Sequence, residues 1–174
     1  MTPIPLQAGT LVLEPQVAAH ADEMFAVLSD PAIYRYENAP PESVEWLRRR
    51  YARLESRAAP DGSAQWLNWV VRLPTGELAG YVQATVMPDG TAFVAYELAS
   101  RFWRRGIGSA AVTAMLGALR DHFGATRAVA VLKARNVESA ALLAHLGFGE
   151  IPPAGTAPVA HDPDECARYL RLAP

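Results

Sequence analysis

The sequence predicts a mixed α/β (α+β) fold built on one central sheet, and three observations carry that prediction. First, three strand-like segments, 66–73, 78–87 and 91–99, follow one another with only "PTGE" and "PDG" between them, the pattern of an antiparallel meander. Second, the next stretch runs helix, continuous apolar strand, helix, so helices must cover the sheet on that side. Third, 174 residues, 51% of them hydrophobic, are enough for one buried core, and no linker or repeat divides them. A single domain over residues 1–174 is expected.

The elements follow in order. "TLVLE" (10–14) is a short strand stopped by Pro15, and "VAAHADEMFAVLSD" (17–30) has apolar residues at helical spacing up to Pro31. The loop "DPAIYRYENAPP" leads to Ser43, a helix cap, and to the amphipathic "SVEWLRRRYARLES". After the meander, "GSAAVTAMLGALRDHF" (108–123) is a long helix. "RAVAVLKA" is an apolar strand of the kind buried on both faces, "NVESAALLAHLGF" is a helix ending at Gly147, and "CARYLRL" (166–172) is the last strand. The elements read β-α-α-β-β-β-α-β-α-β.

Composition removes several functions. A formal net charge of −2 argues against a nucleic-acid or anionic-membrane partner. No apolar stretch approaches the roughly 20 residues of a membrane helix. Cys166 is the only cysteine, so no internal disulfide can form. The N-terminus lacks a basic start followed by an apolar run, which sets the expectation of a cytoplasmic protein. His20, His122, His145 and His161 are scattered without ligand spacing, and no metal is expected.

Between the meander and the long helix lies "ELASRFWRRGIGSAAV", where Arg104 and Arg105 precede Gly106-Ile107-Gly108. Glycines let backbone approach a ligand, helix-start amides carry partial positive charge, and arginines fork onto phosphate oxygens. Together they form a pyrophosphate cradle. "GIGSAA" also fits the dinucleotide fingerprint G-x-G-x-x-G/A, but six residues, Ser100 to Arg105, separate it from its strand, and the following strand ends in Lys133 rather than an acid. A P-loop would need Gly-Lys-Ser/Thr, which is absent.

Element order and loop together resemble the GNAT superfamily of N-acetyltransferases, whose signature Gln/Arg-x-x-G-x-G/A corresponds to Trp103-Arg104-Arg105-Gly106-Ile107-Gly108. Trp in the first position departs from the general pattern and resembles the RimJ/RimL-like branch. The likeness runs from Leu11 to Leu172. It implies a central mixed, mostly antiparallel, splayed sheet with helices on both faces, in the order β-α-α-β-β-β-α-β-α-β-β. It also implies acetyl-CoA as co-substrate, its pantetheine arm against the main chain of Tyr96, Glu97 and Leu98 and its pyrophosphate on Arg104, Arg105, Gly106, Ile107, Gly108 and Ser109.

Many relatives carry N-x-x-A with Tyr four residues later as the acid for the leaving thiolate. Here that place is Leu143. The RimJ/RimL-like variant N-x-x-S, with Leu and a closing Gly-Phe, fits Asn136, Ser139, Leu143, Gly147 and Phe148. The resemblance thus gives Ser139 the thiolate-facing role and Asn136 a contact to the pantetheine arm; an N-cap and a surface hydroxyl are the plain alternatives. Where some relatives place a Glu base, this chain has Val131. Glu97 is the only acid on its strand, and apolar surroundings would raise its pKa into a useful range; a salt bridge or edge carboxylate is the other reading.

The family's acceptor groove corresponds to 33–41 and 152–165, with Tyr34, Tyr36, Glu37, Trp66 and Asn68 as candidate substrate residues. Acids in these loops favour a cationic acceptor: a small-molecule or peptide amine. A lysine amine with pKa near 10.4 is only about 0.1% neutral at roughly pH 7.5, an α-amine near 7.8 about one-third, so an enzyme without a strong base suits α-amines. The protein is expected to be a monomer or homodimer. An acyl-CoA-binding module without transfer activity is the alternative function.

Overall fold

The computed structural model describes residues 3–154 and 158–172. Among these, seven strands lie in one sheet in chain order: β1 (Leu6–Ala8), β2 (Leu11–Pro15), β3 (Gln65–Arg72), β4 (Leu78–Val86), β5 (Thr91–Leu98), β6 (Arg127–Lys133) and β7 (Glu165–Arg171). Every neighbouring pair is antiparallel except β5 and β6, which run parallel. The described residues also form four α-helices: α1 (Ala21–Leu28), α2 (Val44–Leu54), α3 (Ile107–His122) and α4 (Val137–His145).

The mixed, mostly antiparallel sheet stands as expected, but its extra strand is at the other end. Among the described residues one strand, β7, follows α4, not two. The seventh strand is β1, joined to β2 through a turn at Gly9 and Thr10 with Gly9 at φ 66°. Three residues of "LQA" are too few to show alternation. β6 also departs from a strand buried on both faces: Val131 is exposed, because β5 has left its side by that point.

Strand alternation divides the sheet into two faces. One presents Glu14, Arg72, Tyr81, Gln83 and Glu97 to α1 and α2. There Arg72 bridges Glu14 and Glu23 at 2.9 and 2.8 Å, and the Arg72 guanidinium holds the Glu14 carboxyl below its ordinary range. The other face presents Leu67, Trp69, Val82, Tyr96 and Leu98. Trp69 is fully buried, meets Phe123 edge-on at 6.2 Å and donates its indole N–H to Ile4 O. Ala111, Val112, Met115 and Leu119 of α3 are fully buried with it. α2 starts as its cap residue dictates: Ser43 Oγ accepts the Trp46 amide at 3.0 Å.

Gly80 fixes how closely β4 and β5 approach. A methyl group there would collide with Glu97 O and Leu98 Cα, so the absent side chain sets the position of the β5 end that the site is built on.

Candidate active site

β5 and β6 pair only at Thr91–Phe93 against Arg127–Val129, after which they part although β5 continues to Leu98 and β6 to Lys133. Thr91 O and Ala99 N both bond to the β4 side, to Met87 N and Ala79 O. By alternation, Val94, Tyr96 and Leu98 therefore turn their main-chain groups towards the gap. Leu98 O is taken by the Trp103 indole N–H at 2.8 Å. That contact gives the unexpected Trp of the motif a local purpose. The remaining groups form a strand edge that needs a partner. The gap is a cleft of about 110 Å³ bordered by Tyr96, Glu97, Ala130, Asn136, Ser139 and Leu143.

At one end of β5 the chain turns into α3 through two left-handed residues, Arg104 at φ 58° and Gly106 at φ 75°. Ala110 N bonds back to Gly106 O, so the amides of Ile107, Gly108 and Ser109 precede the helix's own ladder. Arg104 and Arg105 are exposed and form no ion pair among the described residues. Free amides on a left-handed turn at a helix start, with two uncommitted cations, are groups whose charge favours an anion. The two glycines differ in purpose. Gly106 makes the turn and has open space where a side chain would be. Gly108 is buried, and a Cβ there would sit 3.2 Å from Leu142 and 3.3 Å from Leu98, so its absence serves helix packing rather than ligand approach.

Across the cleft, Asn136 caps α4, its Oδ1 accepting the Ser139 amide at 3.1 Å. The plain reading of Asn136 is therefore realised, while the residue still borders the cleft. Ser139 Oγ lies 2.7 Å from the Tyr96 hydroxyl. Burial pushes the Tyr96 phenol above its ordinary pKa, so it stays protonated. Leu143 is fully buried beneath them, closing the cleft where other relatives carry a phenol.

On the opposite face, α1, α2 and the loop after α1 enclose a second cavity, of about 300 Å³. Glu97 borders both cavities. Burial raises its pKa, the Tyr81 hydroxyl and the Asn38 amide pull it back, Glu37 adds to the rise and Arg50 lowers it. Tyr34 lines this cavity; its hydroxyl donates to Leu28 O at 2.7 Å, and its pKa is pushed up to about 12 by burial and then by Glu97.

The other candidate substrate residues fall elsewhere. Tyr36 and Glu37 border the cleft between β5 and β6, not the larger cavity. Tyr36 donates to Glu138 at 2.7 Å, and burial raises the pKa of Glu37. Trp66 and Asn68 line neither cavity; Asn68 is buried, and its main-chain carbonyl accepts the Gln16 main-chain N–H. Gly155–Ala157, in the loop expected at the groove, lie outside the described residues. Sequence reasoning missed Gln16, Trp46, Arg50, Tyr51, Tyr81 and Gln83. For two of these a signal existed: alternation in "YVQATV" puts Tyr81 and Gln83 on one face, and the register sets Tyr81 opposite Glu97.

Two parallel strands that part beside a helix start rich in free amides give the arrangement of the acyl-CoA-dependent acetyltransferases, and that is the enzyme class. Residues 10–149 match the family model described as an acetyltransferase (GNAT) domain, and the chain belongs to that family. No curated protein matches the sequence. The fold is similar to that of the ribosomal-protein-S5-alanine acetyltransferase from Vibrio fischeri, with a TM-score of 0.80 at 16% identity over 98% of this chain and 97% of that one. It is similar to RimL, a ribosomal L7/L12 alpha-N-protein acetyltransferase in complex with coenzyme A, at 0.79 and 17% identity over 97% and 98%. Mycobacterium smegmatis RimJ in complex with a CoA disulfide gives 0.77 at 22% identity, over 98% and 90%. At these identities the likeness is one of fold. Among the described residues no helix is long and apolar enough to cross a membrane.

Proposed function

We propose that residues 1–174 form one domain that moves the acetyl group of acetyl-CoA to a primary amine, an α-amino group of a peptide or amino acid or a small amine, by direct attack. The position of Glu97 between the two cavities carries this reading. The open edge of β5 at Tyr96 and Leu98 suits the amide groups of a pantetheine arm, with Asn136 opposite; Glu97, expected to join them through its main chain, pairs with Tyr81 of β4 and offers only its side chain. The Arg104–Ser109 turn suits the pyrophosphate, and RimL and RimJ are among the fold neighbours solved with coenzyme A or its disulfide.

The bonds balance without a covalent enzyme intermediate. The amine lone pair attacks the thioester carbon, the C–S bond breaks, and its electron pair leaves on sulfur. The ammonium proton goes to the Glu97 carboxylate, which burial makes a better proton acceptor than an exposed one. The Leu98 N–H is the donor on the open edge for the developing oxyanion. With Tyr96 as donor in its 2.7 Å contact with Ser139 Oγ, the Ser139 proton is free to face the departing sulfur. Ser139 bonds to a phenol rather than to a base, which sets it up as a donor and not as a nucleophile.

Incubation with acetyl-CoA and a panel of amines, following free thiol, tests the reading. The expected result is thiol release that requires an amine, together with thermal stabilisation of roughly 2.7 kcal/mol at a hundredfold excess of acetyl-CoA over Kd. Stabilisation without release for any amine would favour a binding module. No response to acetyl-CoA at all would end both readings.

A further inference from the structure

The lining of the cavity between α1, α2 and the sheet carries groups of opposite charge. At the sheet end stands Glu97, an acid suited to an amine. Elsewhere the same wall carries Arg50, whose guanidinium lies 5.6 Å from the Trp46 ring centre and forms no ion pair among the described residues. Arg50 and Glu97 line the same cavity.

Two further groups in this lining have nothing to bind. Tyr51 Oη and Gln16 Nε2 are buried, in residues only 3% exposed, and neither has a hydrogen-bond partner. Behind Gln16, Arg57 Nη1 and Asn68 Nδ2 are unpartnered as well. Three of these four atoms can only donate, and the fourth is a hydroxyl. Buried polar groups left without partners are costly, and two of them, on Tyr51 and Gln16, in the lining of a cavity that also holds a free cation imply an oxygen that arrives with the ligand.

Resting on the acetyltransferase reading above, we infer that the acceptor is a compact amino carboxylate, a free amino acid or close analogue. Its amine lies at Glu97 and its carboxylate is recognised by Arg50 and the Tyr51 hydroxyl. Leu28, Trp46 and Leu54 supply apolar wall for its side chain. A volume of about 300 Å³ suits such a molecule, at the lower end of small-molecule sites. One acid and one cation in a single cavity read a zwitterion, whereas a protein N-terminus brings only the amine.

The test compares kcat/KM for L-phenylalanine, L-phenylalaninamide and phenethylamine, each expressed per unprotonated amine so that their different basicities do not decide the result. The carboxylate should be favoured over the amide at least about tenfold, the lower range for a hydrogen bond to a charged group. Arg50→Gln should bring that ratio close to one. Tyr51→Phe should raise KM for the amino acid without lowering Tm, because its hydroxyl has no protein partner to lose; a structural hydroxyl would instead lower Tm. Equal rates for the three compounds, or a ratio unchanged by Arg50→Gln, would overturn the inference. Turnover of peptide N-termini with none of an amino-acid panel would overturn it too, while leaving the acetyltransferase reading intact. Absence of thiol release with every amine would remove the acetyltransferase reading and this one together.

Discussion

Replacing Glu97 by Gln keeps the shape of the side chain and removes only its ability to take a proton. In the structure the amide oxygen can still accept from Asn38, which reaches Glu97 Oε1 at 3.4 Å, and from the neighbouring Tyr81. A positioned general base contributes about 10²–10⁴ in rate, so the neutral-pH rate should fall by at least a hundredfold. The size of the loss should depend on pH in a calculable way. An α-amine with pKa near 7.8 is about 5% neutral at roughly pH 6.5 and about 94% neutral at roughly pH 9. The variant must wait for the neutral amine, so its rate should climb roughly twentyfold over that range, while the parent gains less. The ratio of variant to parent should therefore rise steadily with pH.

Stability moves the other way. Burial raises the pKa of Glu97 above its unfolded value, so its favourable contribution is present at low pH and is lost as pH climbs through the folded value. Gln does not titrate, so Tm of the variant relative to the parent should improve as pH rises. Steady-state thiol release across the pH range, with thermal melts in the same buffers, gives both quantities. A flat variant-to-parent rate ratio would remove Glu97 from the chemistry. A rate loss that tracks a drop in Tm would reduce it to a structural carboxylate.

Two further outcomes are expected. Tyr96→Phe and Ser139→Ala should each lower kcat with little change in acetyl-CoA affinity, and the double variant should lose no more than the worse single one, since both act through one 2.7 Å contact; additive losses in a double-mutant cycle would refute the pairing. In the turn, Gly106→Ala should weaken acetyl-CoA binding through strain at φ 75° with little loss of fold, whereas Gly108→Asp should lower Tm by forcing a carboxylate against Leu98 and Leu142; equal Tm values for the two variants would contradict the division between them.

How far the sequence reached follows from the range of its signals. The turn at 103–109, the cap at Ser43, the meander and the strand between α3 and α4 are each fixed by residues close in the chain, and they stand within a residue or two of where periodicity and turn chemistry place them. The cleft was within reach for the same reason, since β5, the turn and α4 each carry a local motif. The larger cavity was not, because three distant segments build it and no one of them shows it. Trp66 and Tyr81 lie on one face of the sheet, but the register puts Trp66 opposite Thr85 and Tyr81 between Val70 and Glu97, so only Tyr81 is beside the acid. Tyr34 and Tyr36 are two residues apart, and the chain turn between them sends one hydroxyl to Leu28 and the other to Glu138, on opposite sides of β5's end. Glu97 was visible as the one acid in an apolar strand. What made it the junction of two cavities was the parting of β5 from β6 on one side and the approach of α2 on the other. Neither is written near residue 97, which is why the acid itself stood out in the sequence and its partners did not.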